Sequence, residues 1–287
     1  MPTPAGDVPI LESVAAAWRG WRTGLPRVWP YAVGGALLLS GFAFAAQRAG
    51  ANMGVSFLLD LAAMIVIAGV YAAQLHGPLG VAADARRRGA DALRVLASMG
   101  VVAFFMFIVM LVALLPGSIV FGVAIGEEGG ALIESVQGDP AATMAAAQQL
   151  ASQHWPILAL LIGVYTFVWL ALTSRLYLAA PASVAEERIR TFETWAWTKG
   201  NMLRIMAARV IALVPVWIVL QGLQALAMSA LGANPLDPQS FAALIAREPL
   251  RYLSVIAPMH ALTLLALYGL EAALSAYLYK GLKPQSA

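Results

Sequence analysis

Pro78, Pro181 and Pro284 fall 103 residues apart, and each closes a long apolar run beside a charged segment. The runs ending at the second and third prolines share A-L-[ST]-x-x-L-Y, over residues 171–177 and 273–279. Similarity at a fixed period predicts one structural unit used repeatedly. A membrane span needs about 20 mostly apolar residues to cross about 30 Å of hydrocarbon. Runs that meet this length occupy about 29–47, 55–76, 95–125, 156–180, 205–231 and 253–279. The chain is therefore expected to be an all-α integral membrane protein with six transmembrane helices arranged as three repeated hairpins, plus short interfacial helices. On this reading residues 1–28 form an N-terminal segment with an interfacial amphipathic helix, 29–280 the membrane domain and 281–287 a tail.

Composition agrees: 61% of the residues are hydrophobic and only 11% charged, outside the range of soluble domains. The net charge of +3 is not a nucleic-acid signature, because the basic residues sit in short connections between spans. The chain has no cysteine, which excludes disulfides and thiolate metal sites. The opening MPTPAGDVPILES lacks both a basic and an apolar region, so it does not read as a cleavable signal peptide.

Lysine and arginine set the expected direction. Arg19, Arg22 and Arg27 precede the first span, and Arg86, Arg87, Arg88 and Arg94 join the second to the third. Arg175, Arg188, Arg190, Lys199, Arg204 and Arg209 surround the fourth-to-fifth connection, and Lys280 and Lys283 end the chain. Only Arg48, Arg247 and Arg251 lie on the other side, so both termini are expected in the cytoplasm, in a bacterial inner membrane.

Pro116-Gly117 predicts a kink in the overlong third span, with milder ones at Pro215 and Pro258. Asp139-Pro140 and Asp237-Pro238 read as helix starts, giving short outer helices, the second interrupted by Pro249. GVAIGEEGG (122–130) reads as a flexible loop. Near the N-terminus Val14, Trp18, Trp21 and Leu25 recur at helical spacing beside Arg19 and Arg22, which suits either a helix in the headgroup region or one docked on the other helices.

No catalytic motif is present: no phosphate-binding glycine loop before a lysine, no HExxH and no G-x-S-x-G. The chain is expected to be no enzyme and to hold neither cofactor nor metal. Polar groups inside spans carry more information, because a charge there costs about 2.5–3.5 kcal/mol to insert. Glu271 lies 13 residues before Pro284, roughly 20 Å along a helix and near the midplane. It suits a proton or cation site, a contact for a polar headgroup, or a structural hydrogen bond between helices. Asp60 lies further from its proline, near the outer interface. Gln221 and Gln224 sit at comparable depth to hydrogen-bond it, and His260 is a poorer match. Arg175 lies close enough to Pro181 to snorkel to the surface; a bridge from it to Glu271 would have to span about 10 Å of helix offset. Arg188, Arg190, Lys199, Asn201 and Arg204 form the candidate contact for anionic lipid headgroups, against the background that such loops are basic for topology alone.

The segment 175–206, RLYLAAPASVAEERIRTFETWAWTKGNMLRIM, carries a resemblance. Arg175 to Pro181 (R-L-x-L-A-x-P), the patch Glu186-Glu187-Arg188, and Trp195, Thr198, Lys199, Gly200 and Asn201 (W-x-x-T-K-G-N) resemble the membrane domain that accompanies some glycerophosphodiester phosphodiesterases and its stand-alone bacterial relatives. The resemblance covers about thirty residues and implies a membrane domain. It does not imply hydrolysis, which in such fusions belongs to a separate soluble barrel whose acidic and histidine residues bind a metal. Here His76, His154 and His260 are far apart and without acidic clusters. Two readings stay open. One is a non-enzymatic lipid-associated or membrane-homeostasis protein whose partners are membrane lipids, with a homo-oligomer or a membrane-protein partner also compatible. The other is a small-solute or proton- or ion-coupled transporter using Glu271.

Overall fold

The computed structural model describes residues 7–49, 53–82, 84–136, 140–233 and 238–284. Its elements are α1 (Ile10–Ala49), α2 (Met53–Leu79), α3 (Ala85–Ser135), α4 (Pro140–Gln153), α5 (Trp155–Arg175), α6 (Ala179–Ala185), α7 (Glu193–Trp197), α8 (Met202–Ala230), α9 (Pro238–Arg247), α10 (Pro249–Leu262), a π-helical segment (Thr263–Tyr268) and α11 (Gly269–Leu282). No strand occurs among the described residues. Six stretches are long and apolar enough to cross a membrane: Ile10–Ala46, Met53–Leu79, Ala85–Gly126, Trp155–Ala185, Met202–Ala230 and Pro249–Leu282. This is the architecture of a multi-pass membrane protein.

The chain divides into two compact units, one within residues 1–101 and 174–287, the other within 102–173. In the smaller unit the Tyr165 hydroxyl donates to the Ala113 carbonyl at 2.8 Å. A Cβ on Gly117 would overlap that hydroxyl, so the glycine is what lets the two helices approach. Phe104, Phe107, Leu111, Leu115 and Val123 stay exposed along α3, as side chains solvated by lipid would.

The break in α3 falls at Gly126, with φ 59° and ψ −163°, while Pro116 and Gly117 remain inside the helix. A positive φ is open to glycine and strained for other residues, so the sequence can break there and not at its neighbours. The backbone of 122–130 is helical on both sides of this point rather than a loop. The short helices α4 and α9 begin at Pro140 and Pro238, and Pro249 opens α10 after the interruption at Glu248. Their expected caps, Asp139 and Asp237, lie outside the described residues. The three prolines of the period occupy different settings: Pro78 in the last turn of α2, Pro181 within α6, and Pro284 beyond α11.

In the larger unit α11 is the central helix. Leu270, Ala272, Leu274 and Ala276 are fully buried. Ala17 of α1 with Ile205, Ala208 and Ala212 of α8 pack on one flank, and Ala68, Ala72 and Leu75 of α2 with Val184 of α6 on another. Small side chains bring the backbones close where dispersion, not water, must hold helices together. Residues 13–25 are not a separate interfacial helix. They are the first turns of α1, which runs on through Pro26 and Pro30, and Val14, Ala17 and Trp21 face this core. Trp18 packs edge-on against Trp21 at 5.2 Å.

Gly35 marks the tightest crossing of α1 with α2: a Cβ there would stand 2.8 Å from Val70 Cγ2 and 3.3 Å from Leu264 Cδ1. Gly35→Ala is expected to cost about 1–3 kcal/mol by overpacking. In a Val70→Ala background most of that cost should disappear, which a double-mutant cycle of unfolding in mixed micelles measures.

Candidate functional site

The larger unit holds three polar assemblies. The first begins at the π segment. A π turn loosens the regular carbonyl ladder, and hydrocarbon supplies no replacement donors. Gln74 Nε2 donates to the Leu264 carbonyl at 2.6 Å, and Trp21 Nε1 donates to the Leu265 carbonyl at 2.7 Å. The indole reaches that carbonyl because residue 269 is glycine; a Cβ there would stand 2.9 Å from Trp21 Cδ1.

Glu271 follows two residues later. Tyr177 donates from its hydroxyl to the Glu271 backbone carbonyl at 3.2 Å. Arg209 is the cation whose charge acts on Glu271, and Tyr71, Tyr177 and Tyr268 all feel the Glu271 carboxylate. Arg209 Nη1 donates to Ser174 Oγ at 2.9 Å, and its guanidinium lies 4.5 Å from the centre of the Tyr177 ring. The Ser275 hydroxyl donates to the Ala272 carbonyl at 3.1 Å, so Tyr71 is the donor in the 3.1 Å bond between Tyr71 and Ser275.

A bridge from Arg175 to Glu271 has to span the helix offset, and Arg175 instead ends α5 with its guanidinium 4.9 Å from the Trp195 ring. Arg209 is the cation whose charge reaches Glu271, from a guanidinium held by Ser174 and the Tyr177 ring. In the sequence it reads as one more topology-setting arginine, and the missed signal is its position well inside α8, where it is buried.

The second assembly lies where α2 turns into α3. Asp91 is fully buried and accepts from His76 Nε2 at 2.9 Å and Arg94 Nη1 at 2.5 Å, with Arg87 Nε at 3.6 Å. Arg87 reaches on to Glu187 at 2.9 Å. Glu186 binds Arg190 at 2.5 Å and Lys283 at 3.3 Å and accepts from the Tyr279 hydroxyl at 3.1 Å. The hydrogen bond from Lys283 to Tyr279, ahead of the Glu186 charge, pushes the Lys283 ammonium above its ordinary range.

The motif behind the family resemblance is held by local bonds here. Trp195 stacks on Arg175, the Thr198 hydroxyl donates to the Arg175 carbonyl at 2.9 Å, Gly200 takes φ 83°, and Asn201 Oδ1 accepts the Val8 N–H at 3.0 Å. Of the headgroup candidates, Arg190 pairs with Glu186 and Glu193, and Arg204 pairs with Asp7 at 2.6 Å in an exposed bridge. Arg188 and Lys199 are exposed and take part in no ion pair among the described residues.

The third assembly is a cavity of about 330 Å³ among α1, α2, α10 and the π segment, lined in part by Asp60 and His260. The structure thus places His260, and neither Gln221 nor Gln224, on the wall of the cavity that Asp60 lines. Gln221 is exposed on α8 and Gln224 half-buried, and neither hydrogen-bonds Asp60. Among the described residues no three His, Asp or Glu side chains converge as a metal-ligand set.

Compared with protein-family models, with curated proteins and with solved structures, the chain matches none of them.

Replacing Arg209 by Met is expected to destabilise the unit, because Glu271 then lacks its cation and Ser174 its donor. The double variant Arg209→Met/Glu271→Met should recover part of the loss. A coupling of about 1–2 kcal/mol in detergent unfolding is expected, and strict additivity would show that the two charges are energetically independent.

Proposed function

We propose that this protein is a non-enzymatic, lipid-associated component of a bacterial cytoplasmic membrane, with both termini inside and its basic end at the surface of the inner leaflet. One observation carries the reading. The N-terminal segment, the α2–α3 turn, residues 186–204 and the C-terminal end are fastened together by the Asp7–Arg204, Arg87–Glu187 and Glu186–Lys283 pairs. Around them Arg19, Arg22, Arg27, Arg86, Arg188, Lys199 and Lys280 are exposed and in no ion pair among the described residues. Exposed Trp18 and Trp29 accompany them, the aromatic partners expected at headgroup depth. Each such cation contributes about 1 kcal/mol near an anionic bilayer. The threefold hairpin ancestry suggested by the proline period, and kinship with the phosphodiesterase-associated membrane domain, are part of this reading. A role in membrane homeostasis, alone, as a homo-oligomer or beside a membrane-protein partner, fits it.

The test is lipid selectivity in nanodiscs that mix phosphatidylglycerol and phosphatidylcholine, read by native mass spectrometry of retained lipids. Arg188→Gln with Lys199→Gln is expected to lower the preference for phosphatidylglycerol roughly fivefold per charge removed. Arg190→Gln should act chiefly on stability, since it breaks internal pairs. Retained lipid that mirrors the bulk mixture in the wild type would remove the reading.

A second reading, a proton- or ion-coupled carrier, is favoured by a different observation. The Glu271 carboxylate is in none of the ion pairs among the described residues, and it lies in the first turn of the helix that follows a π segment. Intramembrane carboxylates beside irregular helix are frequent parts of transport pathways. Proteoliposomes should then dissipate an imposed pH gradient, and Glu271→Gln should slow that decay to the rate of empty vesicles. Equal decay in wild type and variant eliminates this reading.

A further inference from the structure

The cavity at Asp60 has an unusual balance of hydrogen-bonding groups. Ser40 donates its only hydroxyl hydrogen to the Ala36 carbonyl at 2.7 Å. In the 3.0 Å bond between Ser40 Oγ and His260 Nδ1 the ring must therefore be the donor. Neutral His260 then carries its proton on Nδ1, and its other nitrogen, Nε2, is an acceptor. Thr263 donates to the Met259 carbonyl at 2.9 Å, which leaves its oxygen as an acceptor too. Asp60 contributes a carboxylate with no ion-pair partner, and no Lys or Arg lines the cavity among the described residues. Of the polar side chains on its wall, only the Tyr268 hydroxyl retains a hydrogen to give. The remaining wall is apolar, from Leu39, Phe42, Ile67 and Leu264 among others, and Ala43 and Ala63 leave the space open. The volume of about 330 Å³ lies within the range of small-molecule sites.

We infer that this cavity binds a primary ammonium group carried on an apolar chain. The ammonium supplies three N–H donors and a positive charge to Asp60, His260 Nε2 and Thr263, while the hydrocarbon lies against the aliphatic and aromatic wall. An anion would meet the Asp60 carboxylate with no cation to offset it. A quaternary ammonium has the charge but no N–H. The same chemistry has two sources, a free hydrophobic amine and the ethanolamine headgroup of a phospholipid. The site is separate from the basic surface on which the proposed function rests, so either can fail alone.

The probes are octylamine, octan-1-ol and octyltrimethylammonium, titrated by ligand-observed NMR against the full chain in nanodiscs of phosphatidylcholine and phosphatidylglycerol. Octylamine is expected to bind saturably and at least about tenfold more tightly than the other two, the margin of a charged hydrogen bond. Asp60→Asn should erase that margin and leave octanol unchanged. Because Asp60 is exposed and unpaired, this variant should fold. Ala63→Phe fills the cavity and should block octylamine as well. Equal affinity of the wild type for octylamine and octanol overturns the proposal, as does unchanged octylamine affinity in Asp60→Asn or in folded Ala63→Phe. With the margin established, added phosphatidylethanolamine separates the sources: competition assigns the lipid headgroup, and undiminished octylamine binding assigns a free amine.

Discussion

Hydrocarbon offers no partner to a backbone carbonyl, so an irregular stretch in a membrane helix persists only where side chains bring donors to it. In this protein the stretch is Thr263–Tyr268, and the donors arrive from two other helices, Trp21 on α1 and Gln74 on α2. The three segments are thereby fixed in register with one another. Gly269 has no side chain to obstruct the indole, and Gly35 has none to hold α1 off Val70 and Leu264. Removing either donor would strand a carbonyl in a medium that cannot hydrate it. The position of Glu271, immediately beyond this joint, follows from the same arrangement.

Charge is handled differently at the basic end. A buried carboxylate is tolerable when its lone pairs are all engaged, and Asp91 has His76, Arg87 and Arg94 around it. Glu186 extends the same pattern to Arg190 and Lys283, and the exposed Glu187 pairs with Arg87. These acids are matched by nearby arginines and lysines, so the cations with no acidic partner are pushed to the rim. A net positive rim is then a consequence of satisfied interior charges and not merely of a basic composition.

Hydropathy made the six spanning stretches legible, since run length and apolarity are properties of the chain itself. Glu271 was legible for the same reason: a carboxyl in an apolar run has few explanations. Its surroundings were not. Arg209 follows Arg204 closely enough to read as another topology-setting residue, and only the packing of α8 against α11 brings it to Glu271. The Trp and Arg pattern of residues 13–25 suits a bilayer surface or a helix–helix contact equally, and in the structure one side of it, Ala17 and Trp21, packs on the α11 core while Trp18 stays exposed. Depth along the spans misplaced His260 relative to Asp60. That ruler takes a uniform rise of 1.5 Å per residue and assumes that the prolines mark one height. The sixth span interrupts its rise with a π segment, and Pro78 lies inside α2 whereas Pro284 lies beyond α11.

Depth alone ranks Glu271 above Asp60 as a site, because the deeper charge costs more to insert. Counting partners reverses the order for ligand binding. Glu271 has the charge of Arg209 acting on it and the Tyr177 hydroxyl on its own backbone carbonyl, both supplied by this chain. Asp60 has no cation and no hydrogen bond from a side chain among the described residues, and two polar side chains that share its cavity, His260 and Thr263, have already given their hydrogens to Ser40 and Met259. Serving either residue as a counter-ion requires a cation, but only one of them has it built in. A carboxylate whose cavity offers one phenol hydrogen and otherwise acceptors and hydrocarbon gains most from a donor that arrives from outside, so the shallower residue is the better place to look for a bound molecule.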